Sequence, residues 1–318
     1  MFILAGLGSA AVGYAFYVYM QPGPLQDTKL VLIERGMGVS SIAGKLDTET
    51  VIASDLLFKI AALLKNSSLK AGEYEFPAKV SIAEALSMLE EGKVFDRSFT
   101  IREGLTSYQI VKRLNAVEEL SGEIIDIPAE GSLLPETYRF ISGDTKQQKL
   151  ERMQQAMQDT IEELWPQRAG DLPFETIEDA ITLASIIEME TGQADERAKV
   201  AGVFVNRLHK GMALQTDPTV IYALTKGKVQ EEGRGPLGRR LLRKDLEVDD
   251  PYNTYVYPGL PPGPIANPGR ASIEAALNPA KHEYLYFVAD GTGGHAFSKT
   301  LAEHNANVAK WRQIRRSQ

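Results

Sequence analysis

Residues 183–224, which read LASIIEMETGQADERAKVAGVFVNRLHKGMALQTDPTVIYAL, decide the fold. Their first part completes an apolar run that predicts a helix over residues 176–190 and ends on two glutamates, Glu188 and Glu190. A second helix is predicted over residues 194–210. Because burial disfavours a charged carboxylate, a glutamate on an apolar helix is costly unless it is paired or used as an acid. We therefore predict that this stretch holds the centre of an active site.

The spacing of the two glutamates leaves open which of them is used. Residues two apart point in different directions on a helix, so Glu188 and Glu190 cannot form a close pair in one pocket if the helix continues. The pattern alone does not say which one is buried. The alternative is that both lie solvated at the end of the helix, or pair with Arg197 or Lys199.

Composition excludes several classes of function. The chain has 318 residues, which suggests about two domains, and its net charge of −7 argues against a nucleic-acid partner. The absence of cysteine excludes disulfides, thiolate nucleophiles and cysteine zinc sites. No glycine-rich phosphate-binding motif occurs, and the four histidines lack the spacings typical of metal ligands. We therefore predict neither a metal nor a cofactor.

The N-terminal residues predict a membrane anchor. No charged side chain precedes Asp27, and residues 1–20 are about long enough to cross a bilayer as a helix. Tyrosines cluster at the end of this run, as aromatic residues do at membrane interfaces. A cleaved signal peptide, the alternative, would show a basic start and a small-residue cleavage site, and neither is clear. Residues 21–28 would then be a linker, and the rest of the chain would lie on one side of the membrane.

Residues 29–95 predict a compact α+β unit with a β-α-α-β core. Ser81 and Glu84 form a capping-box pattern at the start of its last helix. The predicted elements are a strand over residues 30–34, helices over 40–46 and 55–65, a strand over 70–76 and a helix over 81–91.

Residues 96–318 predict a second, mixed α+β domain that contains the two glutamates on their helix. Thr106 and Gln109 form another capping-box pattern, and the chain after Gly211 is expected to be rich in loops. The further predicted elements are a strand over residues 96–101, a helix over 106–114, a loop over 130–140, a helix over 146–164 and a strand over 284–289.

Three polar segments are candidates for ligand binding. Residues 252–255 (YNTY) combine aromatic rings and amides, which suit a sugar but equally suit a plain loop. His295 lies in GTGGHAF, a glycine-rich turn that could present its side chain to a ligand or be only a β-turn. In the polar turn at residues 215–218, Asp217 could bind a ligand or cap a helix that begins at Pro218.

The order of several long motifs resembles one known family, the YceG-like endolytic murein transglycosylases. The resemblance covers most of the chain after the predicted membrane span. It is carried by TIREGLTSYQI, EGSLLPETYRF, LASIIEMET, VAGVFVNRL, GMALQTDPTVIYAL, DLEVDDPYNTYVYPGLPPGPIANPGRASIEAALNPA and YLYFVADGTGGHAFSKTLAEHN.

The resemblance implies a fold and an activity. It implies a single-pass inner-membrane protein whose catalytic domain lies outside the cytoplasm and whose residues 29–95 form a LysM-like subdomain. It implies a lyase that cleaves the β-1,4 bond from N-acetylmuramic acid to N-acetylglucosamine within nascent glycan strands and so ends their elongation. The product would end in 1,6-anhydro-N-acetylmuramic acid.

The resemblance also implies the site residues. The family's catalytic glutamate is the first in its E-x-E motif, which here is Glu188. Glu188 would protonate the leaving oxygen and then accept the proton of the C6 hydroxyl that closes the anhydro ring. That role needs a raised pKa, which apolar neighbours could supply. The residues that would line the glycan groove are Gln215, Thr216, Asp217, Tyr222, Asn253, Tyr255 and His295.

An alternative function is a membrane-tethered scaffold that binds peptidoglycan and recruits cell-wall synthases. Glycan strands are the predicted partner under both hypotheses, and penicillin-binding glycan synthases are further candidate partners. The presence of Glu188 and of an intact QTDPT segment favours the enzyme.

Overall fold

The computed structural model describes residues 2–228 and 236–317, without the side chains of residues 2–9, 11 and 317. Helices alternate with short strands, which confirms the predicted mixed α+β class. The chain divides into two compact units, and the predicted domain boundaries at residues 20, 28 and 95 stay predictions. The first unit comprises Met1–Phe99, Glu119–Ser121 and Arg139–Asp144, and the second comprises Thr100–Glu118, Gly122–Tyr138 and Thr145–Gln318.

The first unit has its core between a two-stranded antiparallel sheet and the helices around it. The strand order and the two intervening helices match the predicted β-α-α-β pattern, and Lys29 pairs with Phe76 at one end of the sheet. The capping box of Ser81 and Glu84 is present. The elements are α1 (Phe2–Met20), β1 (Lys29–Ile33), α2 (Val39–Thr48), α3 (Asp55–Leu64), β2 (Gly72–Phe76) and α4 (Ile82–Glu91).

Helix α1 covers most of the segment predicted as a membrane anchor. Within the part of the chain that the structure describes, no helix combines the length and the apolar character needed to cross a membrane. The predicted anchor begins at Met1, which lies outside the described residues. This finding does not support the anchor, which stays a prediction.

The second unit is built around α7, whose middle turns are buried on every side. Ala180 to Ile187 are all buried, because α7 packs against both α8 and α10. Strand β5 pairs antiparallel with β6. Strand β3 pairs with β4, and the residues of these two strands are divided between the two units. From β3 onward the elements are β3 (Arg97–Thr100), α5 (Ser107–Asn115), β4 (Thr137–Phe140), α6 (Lys146–Leu164), α7 (Ile177–Glu190), α8 (Arg197–His209), α9 (Asp217–Thr225), α10 (Arg270–Leu277), β5 (Tyr286–Ala289), β6 (His295–Ser298) and α11 (Leu301–Ser317).

One sequence prediction was wrong in part, because the end of the predicted loop over residues 130–140 forms β4. The described chain after Gly211 is rich in loops as expected, but α10, β6 and α11 were not predicted. The strands are only four residues long, so their extended form depends on pairing with a partner strand. Helix α11 is mostly polar, and its half-buried face mixes His304 and Asn307 with apolar side chains, which weakens the sequence signal.

Gly202 in α8 is expected to be intolerant of a side chain. A Cβ there would overlap the carbonyl oxygen of Ala280, so Gly202→Ala should lower the free energy of unfolding by about 1–3 kcal/mol. The cost of this steric overlap outweighs the gain from the higher helix propensity of alanine, which is about 1 kcal/mol. Gly44 in α2 is the matched control, because a Cβ there meets no atom and Gly44→Ala should stabilise by roughly 0.5–1 kcal/mol. Urea unfolding measures both, and equal shifts of the two variants would contradict the packing argument.

Candidate active site

A cavity of about 520 Å³ opens in the second unit. It lies among the C-terminal end of α7, the turn that precedes α9, strand β5 and helix α11. Its wall combines aromatic rings with a small number of polar groups, which is typical of a ligand-binding site. The polar and aromatic lining residues are Glu190, Arg207, Gln215, Thr216, Asp217, Tyr255, Tyr286, His295 and His304.

Glu190 places a carboxyl group in the wall of this cavity, at the end of α7. Burial raises its pKa to about 7, the Asp217 charge adds to the rise, and Thr216 and Arg207 oppose it. Glu190 is also the last residue of α7, where the helix dipole disfavours a negative charge. A carboxyl group with this pKa can both donate and accept a proton near neutral pH.

The turn that faces Glu190 is held by Thr254. Gln215 has a left-handed backbone with φ of 53°, and its N–H donates to the carbonyl of Thr254 at 3.1 Å. The N–H of Thr216 donates to the Thr254 hydroxyl at 3.1 Å. A non-glycine residue in this conformation is uncommon and strained, and such strain clusters at functional sites.

Tyr255 and Asp217 form a pair at the edge of the cavity. The Tyr255 hydroxyl donates to the Asp217 carboxylate at 2.7 Å. Burial and this hydrogen bond raise the pKa of Tyr255, so the phenol stays protonated and donates at neutral pH. Asp217 is itself the first residue of α9, after Thr216 at the N-cap position, so the alternative in which Asp217 caps the helix is not supported.

Arg207 connects two walls of the cavity through hydrogen bonds. Its guanidinium donates to the carbonyl of Leu285, just before β5, at 2.7 Å and to that of Leu214 at 2.7 Å. It also lies over the Tyr286 ring, 5.2 Å from the centroid. The guanidinium therefore positions both the turn before α9 and strand β5.

Two histidines complete the wall. His295 is held by Glu196, which accepts the His295 backbone N–H at 2.9 Å and contacts its Nδ1 at 2.7 Å. His304 stacks on Tyr286 with ring centroids 5.2 Å apart. Burial and the Arg207 charge lower the pKa of His304, which keeps its imidazole neutral near pH 7.

Comparison with known proteins shows the family of the chain. The model of the YceG-like family matches residues 31–310. The chain belongs to the YceG-like family.

Curated relatives of this YceG-like protein carry a common name. It is 35% identical to an endolytic murein transglycosylase of Bacillus subtilis strain 168, over 88% of this chain and 83% of that protein. It is 28% identical to an endolytic murein transglycosylase of Streptococcus pneumoniae strain D39, over 95% of this chain and 62% of that longer protein. A crystal structure of a yceG-like protein from Listeria monocytogenes matches 88% of this chain and 98% of its own, with 35% identity and a TM-score of 0.54.

Three predicted site residues of the YceG-like protein lie outside the cavity. Glu188 points elsewhere, and its carboxylate accepts the N–H of Gly269 at 2.9 Å. The Tyr222 ring packs against Tyr252, with centroids 4.8 Å apart. Asn253 is fully buried. Its side-chain amide donates to the carbonyls of Leu246 and Val248, and its side-chain oxygen accepts the N–H of Tyr255 at 3.0 Å. Asn253 therefore shapes the loop that carries Tyr255.

The structure also adds cavity residues that the sequence did not indicate, notably Arg207, Tyr286 and His304. Arg207 had no distinguishing pattern, because its partners are carbonyls on distant segments. His304 lies on α11, a helix that the sequence pattern did not reveal. Within residues 2–228 and 236–317, no group of three or more histidines and carboxylates is placed to hold a metal ion.

Proposed function

We propose that the protein is an endolytic murein transglycosylase that cleaves glycan strands with Glu190 as its acid and base. The observation that carries the proposal is a half-buried carboxyl group, that of Glu190, with a pKa raised to about 7. It lines the cavity where the predicted residues Gln215, Thr216, Asp217, Tyr255 and His295 meet. The curated relatives named endolytic murein transglycosylases support the substrate and the reaction class.

One carboxyl group is sufficient for this reaction. Protonated Glu190 donates its proton to the oxygen that bridges N-acetylmuramic acid and N-acetylglucosamine, and the bond from C1 to that oxygen breaks. The C6 hydroxyl of the same muramoyl residue then bonds to C1 and returns its proton to Glu190. Ordinary glycosidases use two carboxyl groups to activate water or to form a covalent intermediate, and an internal hydroxyl makes the second one unnecessary.

Glu190 is a better candidate for this role than Glu188. The two carboxylates leave α7 in different directions, and only Glu190 lines the cavity. Glu188 accepts the N–H of Gly269, the residue that precedes α10, so its carboxylate links α7 to α10. The assignment to Glu188 rests on the family motif, whereas that to Glu190 rests on its position in the cavity and its raised pKa, since the two side chains are equally half-buried.

Fragment size tests the proposed activity. The full chain is incubated with uncrosslinked polymeric glycan, and the products are separated by length at early times. An endolytic enzyme gives intermediate lengths first, whereas an enzyme acting from strand ends gives short products throughout. If the folded protein binds the glycan without cleaving it, the scaffold function replaces the enzyme.

The pH profile of cleavage should report the protonated form of Glu190. Its pKa of about 7 means that kcat/KM should fall as pH rises above 7, by about tenfold per pH unit, because the acid form is lost. Initial rates between about pH 6 and pH 9 measure this.

Glu130 provides a matched control for the pH profile, since burial also raises its pKa to about 7. It accepts N–H donors from Ser107 and Asn267, away from the cavity, and glutamine can accept the same bonds. Glu130→Gln should therefore leave the profile in place. A profile that disappears in Glu130→Gln would contradict the assignment to Glu190.

We further propose that α1 anchors the protein in the bacterial inner membrane, with the chain that follows it outside the cytoplasm. Val12, Tyr14 and Phe16 are 71%, 70% and 64% exposed, and lipid would cover these apolar side chains. A LysM-like role of residues 29–95 in holding glycan, the ending of strand elongation, and association with penicillin-binding glycan synthases belong to the same proposal. Co-sedimentation of the full chain with lipid vesicles tests the anchor.

A further inference from the structure

A second cavity, of about 460 Å³, lies on another side of the second unit. It is bounded by the end of α6 and by the first turns of α8 and α10. Two arginines, Arg197 and Arg270, line it together with polar side chains of Gln167 and Asn278. None of these residues lines the cavity that holds Glu190.

The two arginines differ in how their charge is compensated. Arg270 pairs with Glu163, with 2.8 Å between Nη1 and Oε2, and with Glu274, with 2.9 Å between Nε and Oε1. Arg197 is only 9% exposed, and its Nε has no hydrogen-bond partner among the described residues. Its charge acts at longer range on Glu103, whose side chain is exposed and therefore screened by water.

A buried guanidinium in this state is unfavourable in the absence of an anion. Burying a charge costs free energy unless an opposite charge or hydrogen bonds compensate for it. Arg197 is also the first residue of α8, and the residue before it, Glu196, makes no side-chain cap bond. The positive end of the α8 dipole therefore adds to the Arg197 charge at the cavity.

The chemistry of the cavity favours a singly charged, planar anion. A guanidinium matches a carboxylate through two parallel N–H donors. Glu163 and Glu274 line the same cavity, and their charges disfavour an anion with two negative charges, such as phosphate. A carboxylate thus fits better than a phosphate.

We propose that the Arg197 cavity binds a carboxylate of the substituent that each muramoyl residue of the glycan carries. This rests on the proposed function, because that substrate supplies the carboxylate. Two sources share the chemistry, namely the lactyl carboxylate of an unsubstituted muramoyl residue and the carboxylates of an attached peptide. The cavity is then a subsite that recognises the substituent of the muramoyl residue.

Direct binding tests the proposal without any cleavage. The full chain is titrated by ligand-observed NMR with N-acetylmuramic acid, with a muramoyl dipeptide, with the same dipeptide after conversion of its carboxylates to amides, and with inorganic phosphate. The free dipeptide should bind about tenfold more tightly than its amide, because a charge-assisted hydrogen-bond pair is lost. If N-acetylmuramic acid binds as tightly as the free dipeptide, the lactyl carboxylate is the group that is recognised. If N-acetylmuramic acid binds as weakly as the amide, the recognised group is a carboxylate of the peptide.

Variants assign the effect to Arg197. Arg197→Gln should bind the dipeptide and its amide equally, and Arg197→Lys should retain part of the preference. Arg312→Gln, on the exposed face of α11, is the control and should behave as the wild type. The proposal is overturned if the wild type does not distinguish the dipeptide from its amide. It is also overturned if Arg197→Gln is folded and still binds the free dipeptide more tightly than the amide.

Two further outcomes are decisive. Phosphate that binds more tightly than the free dipeptide would overturn the assignment to a carboxylate. If Arg197→Gln does not fold, the wild-type comparison and Arg197→Lys still decide the proposal. Loss of cleavage with retained binding would instead count against the proposed function alone.

Discussion

Glu190→Gln should lower the rate of glycan cleavage by at least about a hundredfold, the scale of general acid–base catalysis by one side chain. Glutamine keeps the size of the side chain and its oxygen acceptor but cannot exchange a proton. The cavity position of Glu190 and its pKa of about 7 are the reasons for expecting this loss. Cleavage of uncrosslinked glycan, followed by chromatography, measures the rate.

Glu188→Gln is the comparison that separates the two assignments. Glutamine at this position can still accept the N–H of Gly269, so the link between α7 and α10 is kept and most of the activity should remain. Circular dichroism establishes that both variants are folded. Full activity of Glu190→Gln, together with an inactive and folded Glu188→Gln, would restore Glu188 as the catalytic residue.

Arg207→Met should have the largest effect on stability. Arg207 is 9% exposed, and its loss leaves the carbonyls of Leu285 and Leu214 without their donors. We expect the free energy of unfolding to fall by about 2–5 kcal/mol, because buried polar groups without partners are costly. Activity should fall as well, since both carbonyls belong to segments that line the cavity.

Urea unfolding measures the effect of Arg207→Met, with Arg312→Met as the exposed control. The control should change the free energy of unfolding by less than about 0.5 kcal/mol. A stability of Arg207→Met equal to that of the control would show that the guanidinium does not hold the cavity walls together.

The sequence predicts those elements that carry strong local signals. Helix α6 has the predicted bounds, and the capping boxes that begin α4 and α5 are present. These signals depend on neighbouring residues alone. Strand β6 and helix α11 were missed because pairing with β5 and packing in the second unit, rather than local pattern, define them.

The candidate site was predicted in part for the same reason. The turn at residues 215–217, Tyr255 and His295 meet in one cavity, as expected of groove-lining residues. Sequence spacing could not choose between Glu188 and Glu190, because the choice depends on the direction in which the last turn of α7 faces its neighbours. The role of Arg207 could not be predicted from the sequence, because its carbonyl partners come close to it only in the folded chain.

The most direct test of the central claim is to carry out the cleavage in water labelled with a heavy oxygen isotope and to analyse the new chain ends. The full chain cleaves uncrosslinked glycan in this solvent, and mass spectrometry reads the muramoyl termini. A lytic reaction driven by Glu190 should give 1,6-anhydro ends without heavy oxygen, and Glu190→Gln should give none. Reducing ends that carry heavy oxygen would contradict the account, because water rather than the C6 hydroxyl would then have attacked C1.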